Sequence, residues 1–122
     1  SEVVYRIFLT AAKLEPSNAD ALKGLGKSIF QYGQNLSKAE AIFRRVVAIS
    51  PQDGNSFATI AILKLAQWLR QAEYSFANEN PFDHITPIIR HATRLDPMSA
   101  YVKYVHAAYM LRCEKNGTVA VD

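Results

Sequence analysis

Apolar residues recur along this chain at steps of three and four, the spacing that places them on one face of an α-helix. The stretch Ser37 to Pro51, SKAEAIFRRVVAISP, shows it best, with a stripe of Ala39, Ile42, Phe43, Val46, Val47 and Ile49. Ser37 and Glu40 have capping-box spacing, in which each side chain satisfies a backbone N–H of the first turn. Pro51 and Gly54 close the segment. Upstream, the pattern predicts a first helix over Glu2–Glu15, with a stripe of Val4, Ile7, Phe8, Ala11, Ala12 and Leu14. Pro16 stops it, because the residue before a proline avoids the helical region.

Ser17 and Asn18 can cap a second helix over Ala19–Tyr32, with Asp20 in its first turn. Its stripe is Leu22, Leu25, Gly26, Ile29 and Phe30. Gly26 costs about 1 kcal/mol against Ala in a helix interior, so a close helix neighbour is expected there. Gly33 is expected as a left-handed cap, and Asn35 helps the turn. A fourth helix starts near Asn55 or Ser56 and runs to about Ala77, with Ile60, Leu63, Ala66 and Leu69 in phase. Its Trp68, Leu69, Tyr74 and Phe76 are expected to pack on the loop residue Phe82 and the fifth helix as a satellite core, with an exposed docking surface as the alternative. Asn80-Pro81 signals that loop. Thr86-Pro87 suits the start of the fifth helix, with Asp83 as an earlier alternative. That helix ends at Leu95, before Pro97. Ser99 can cap a sixth helix over Ala100–Glu114, and residues 117–122 read as a frayed tail. No segment alternates as a strand does, so the expected class is all-α, one domain over 1–122 with about six helices.

The chain's 122 residues can bury a sizeable core. Its 49% hydrophobic and 20% charged composition excludes intrinsic disorder. No apolar run reaches the length of a membrane span, and the N-terminus lacks the basic start and apolar run of a secretory signal. A net charge of +3 without a block of Lys and Arg argues against a nucleic-acid arm. Cys113 is the lone cysteine, which fits a reducing compartment and hence an intracellular, cytoplasmic protein.

The stripes also repeat. Eight residues before Pro16, Pro51 and Pro97 stand Phe8, Phe43 and Ile89; five before stand Ala11, Val46 and Ala92. Two before stand Leu14, Ile49 and Leu95, and ten after stand Gly26, Ala61 and Ala107. Bulky groups alternate with small ones, as interlocking helices need. In these positions the chain resembles the tetratricopeptide repeat (TPR) family. Leu22, Leu25-Gly26 and Ile29 match the first half of its pattern, and Ala39, Phe43 and Pro51 the second. The proline spacings of 35 and 46 exceed the family's ~34, and Lys64 replaces an aromatic residue. The resemblance covers most of residues 4–112. It implies a right-handed superhelical stack of antiparallel helix pairs with a concave groove that binds peptides or partner helices.

On that reading the groove is lined from the second, fourth and sixth helices. The second contributes Asp20, Lys23 and Lys27, the lysines four apart on one face. The fourth contributes Asn55, Ala58, Thr59 and Ile62, the sixth Tyr101, Tyr104, Val105 and Ala108. The expected partner is a protein segment with acidic and apolar residues. The family's clamp for the C-terminal carboxylate of heat-shock chaperones is not expected: Lys23 fits it, but Lys27, Thr59, Tyr101 and Val105 do not. The sixth helix is apolar on two sides, with Val102, Val105 and Tyr109 on one and Tyr104, Ala108 and Leu111 on the other. Self-association through it is the alternative reading. An RNA-binding helical repeat rests only on the basic balance and the two lysines. Zinc is not indicated, because His84, His91 and His106 lack partner ligands at metal spacing. Cys113 lacks the orienting groups of a catalytic thiol, and Gly24-x-Gly26 is not a phosphate loop. No cofactor, membrane contact or enzymatic activity is expected.

Overall fold

The computed structural model describes residues 2–33, 35–72 and 82–115. These form six α-helices and no strand. Helix α1 spans Glu2–Leu14, α2 Ala19–Ser28, α3 Leu36–Ile49, α4 Gly54–Ala72, α5 Phe82–Leu95 and α6 Ala100–Lys115. A π-helical turn, Ile29–Gly33, extends α2. The chain divides into two compact units, Ser1–Gln52 and Asp53–Asp122. None of the described helices is long and apolar enough to cross a membrane.

In the first unit, α2 packs against α1 on one side and α3 on the other. Leu22, Leu25, Ile29, Ile42, Phe43 and Val46 are buried. Gly26 makes the expected close approach: a Cβ there would stand 2.6 Å from Cε2 of Phe43. A second seat, not expected from the sequence, lies two residues earlier. A Cβ on Gly24 would fall 2.1 Å from Cε1 of Phe8, on α1. Two phenyl rings thus rest on backbone that only glycine leaves bare.

The helix starts correct three expectations. Asn18 caps α2 as expected, its Oδ1 accepting from the Ala21 N–H at 3.1 Å. Helix α3, however, is capped by Asn35, whose Oδ1 accepts from the Lys38 N–H at 3.1 Å. Leu36 is buried, so the helix begins there rather than after Ser37. Glu40 forms no capping box with Ser37; it accepts from Arg44 Nε at 2.7 Å. Helix α4 begins at Gly54, with Asp53 accepting from the Ser56 N–H at 3.1 Å and from its hydroxyl at 2.9 Å. Helix α5 begins at Phe82, which puts Pro87 inside the helix and beyond its first turn. Burial of Phe82 draws the chain into helix that early, and Pro87 itself is exposed. The expected fourth-helix residues Tyr74 and Phe76 lie outside the described residues.

In the second unit, α4, α5 and α6 all pack on one another. Their shared core holds Ala58, Ala61, Leu65, Phe82, Ile85, Ile89, Ala92, Val102, Val105, Tyr109 and Cys113. Trp68 lies 5.8 Å from Phe82, ring to ring, and Phe82 lies 5.5 Å from Tyr109. The Trp68–Phe82 contact is the expected one, although Phe82 belongs to α5 rather than to a loop.

Replacing Gly26 by Ala is expected to lower stability by about 1–3 kcal/mol in urea denaturation, despite alanine's better helix propensity, because Phe43 must move. Truncating the ring in the same chain, as Gly26→Ala with Phe43→Leu, should recover part of that loss.

Candidate functional site

Polar bonds join the N-terminal ends of α4 and α6, and the end of α5 joins them. The Gly54 N–H donates to Asp96 Oδ2 at 2.7 Å, placing a carboxylate at the positive end of α4. A Cβ on Gly54 would stand 2.5 Å from that same oxygen, so glycine is needed for the approach. The Ser99 hydroxyl donates to Asn55 Oδ1 at 2.6 Å and also accepts from the Val102 N–H at 3.2 Å, which makes Ser99 the expected cap of α6. One turn further, the Thr59 hydroxyl donates to the Asn55 carbonyl at 3.0 Å. Its single proton is then engaged, so the Tyr101 hydroxyl, 2.9 Å away, is the donor to Thr59.

These bonds fix α6 with one flank open. Tyr104 is 68% exposed, Leu111 63% and Tyr101 38%. Their positions, with half-buried Ala108, fall within one sector of the helix, away from buried Val102, Val105, Tyr109 and Cys113. Tyr101 and Tyr104 therefore face solvent. Val105, expected beside them, does not: it is in the core, as is Ala58 on α4. Both helices are apolar around much of their circumference, and the inward direction is decided by packing rather than by period. Thr59 and Ile62 are half-buried, and Ile62 rests against the core. Lys23 is half-buried and Lys27 exposed, both on α2 of the first unit.

Other candidate chemistry resolves into packing. His91 meets Phe57 edge-on at 4.6 Å between ring centres. No group of His, Cys, Asp and Glu among the described residues is arranged to hold a metal ion. Cys113 is fully buried. Beside it, the Tyr109 hydroxyl lies 2.5 Å from the Thr86 hydroxyl and 3.4 Å from the Phe82 carbonyl. Burial pushes the Tyr109 phenol up to about 12. The Thr86 hydrogen bond opposes that rise, while Cys113 and Asp83 add to it. Sequence reasoning missed this Thr86–Tyr109 pair, because no local signal links residues on separate helices.

No family model, curated protein or solved structure matches this chain.

Because the Tyr109 phenol is raised above its ordinary value of 10, the folded state holds a proton there that the unfolded state releases. The contribution of Tyr109 to stability should be constant below pH 10 and be lost between pH 10 and about 12, in urea midpoints of parent and Tyr109→Phe taken at stepped pH. Tyr109→Phe should be less stable at neutral pH, through the lost bond to Thr86, and should show a shallower alkaline fall.

Proposed function

We propose that this chain is a noncatalytic interaction module that docks another protein on the outer flank of α6. The observation that carries the reading is the row of Tyr101, Tyr104 and Leu111, left exposed on a helix whose opposite side is fully packed. Large apolar side chains grouped in one sector of a rigid helix suit an apolar peptide or partner helix. The Thr59–Tyr101 bond orients one of these rings before any partner arrives.

We further infer a TPR-like stack of helix pairs. Support comes from the in-phase prolines, from Phe43 seated on Gly26, and from α4 packing on both the next helix and the next but one. The fold class by itself would warrant binding only by analogy, so the exposed flank carries more of the functional reading. Self-association through the same flank is the second reading, favoured by the high exposure of Tyr104 and Leu111.

The test is a doubly substituted protein, Tyr104→Ser with Leu111→Ser. Both side chains are exposed, so the variant should melt within a few degrees of the parent. Partners retained by the parent in a pull-down and lost by this variant are the expected result; unchanged capture would refute the docking flank. Light scattering separates the second reading, which requires a dimer in the parent and a monomer in the variant.

A further inference from the structure

Helix α1 is apolar on two sides, as α6 is. Half-buried Phe8 and buried Ala12 turn one side toward α2. On the other, Val3 is 66% exposed, Ile7 59% and Leu14 77%. With Val4, Thr10 and Ala11 they fill a sector of about 120°.

The α2–α3 pair shows what such a sector looks like when it is covered. Twelve, nine and five residues before Pro51 stand Ala39, Ile42 and Val46. All three are buried, and α3 packs on α2. Their counterparts before Pro16 are Val4, Ile7 and Ala11, and none of these is buried. Where α3 carries exposed Lys38 and Arg45 beside the contact, α1 carries Val3 and Thr10. The uncovered helix is thus the more apolar of the two. The receiving side repeats as well. Gly26, ten residues after Pro16, is buried beneath Ile42 and Phe43. Ala61, ten after Pro51, is also buried, but Ala107, ten after Pro97, is exposed. Helix α1 therefore offers knobs without a seat, and α6 a seat without knobs.

We infer that α1 of one molecule packs on α6 of a second copy, as α3 packs on α2. The inference rests on the docking flank proposed for α6 and names its occupant. An antiparallel helix in that register sets Ile7 against Ala107 and Leu14 against Ala100. Leu111 then meets Val3 and Val4, and Tyr104 lies along Thr10 and Ala11. Large side chains face smaller ones in every layer, so the two surfaces close without overfilling. The contact continues an interface already built within the chain, and it is heterologous: the surface given differs from the surface received. A single helix pair about 17 Å long stays below the ~1,200 Å2 that stable complexes bury, so the association is weak and reversible.

Sedimentation velocity on the full chain, from micromolar to near-millimolar concentration, tests this with two variants. Ile7→Gln with Leu14→Gln removes the knobs, and Tyr104→Ser with Leu111→Ser spoils the seat. All four side chains are exposed, so both proteins should melt within a few degrees of the parent. The parent's mean mass should rise with concentration, and each variant alone should associate at least about tenfold more weakly. An equimolar mixture of the two should form a dimer and nothing larger, because one intact α1 meets one intact α6. A mixture no heavier than its components would overturn the inference. So would persistent association of either variant alone, which would mean that like helices pair. A parent that stays monomeric throughout would overturn it too; if that parent still loses pull-down partners on Tyr104→Ser with Leu111→Ser, the docking flank stands and only this occupant falls.

Discussion

Gly24 and Gly26 sit two residues apart on α2, about 200° around the helix, so their bare backbones face nearly opposite ways. Phe8 fills one gap and Phe43 the other. The arrangement has a cost, since each glycine weakens an isolated helix by about 1 kcal/mol against alanine. Helix α2 has only ten residues before its π turn and would be marginal alone. It is therefore helical because α1 and α3 hold it, and they lie close because it lacks side chains at those two points. Local propensity and tertiary packing are not separable in this unit.

The second unit is assembled differently. Its interior is made of aliphatic and aromatic side chains, with Phe82 between Trp68 and Tyr109. Its helix starts are joined by directed polar bonds: Gly54 to Asp96, Ser99 to Asn55, and Tyr101 to Thr59. Apolar contact sets how closely the helices approach but tolerates sliding. Hydrogen bonds with fixed geometry set the register, and here they fix which way the exposed rings of α6 face.

The helices were legible in the sequence because their stripes are regular and their breakers strong. Pro16, Pro51 and Pro97 each follow a helix, and Asn18 and Ser99 cap the next. Gly26 with Phe43 was legible because the repeat predicts a small residue against a large one. Gly24 with Phe8 was not, since nothing local states the register between α1 and α2. Pro87 misled for an instructive reason: burying the Phe82 ring outweighs the hydrogen bond that a proline cannot make. The groove residues were only half legible. On α6 the period identifies two apolar sides without saying which one packs; packing leaves Tyr104 at the surface and takes Val105 into the core. The π turn that extends α2 was not legible, since no helical period announces one.

Cys113 gives the molecule a clock. The only thiol of the chain lies wholly covered near the end of α6, in the same core as Tyr109 and Val102. A thiol reagent can reach it only when that end of the helix parts from α4 and α5. The pace of its alkylation therefore measures how often the second unit opens, without any introduced label.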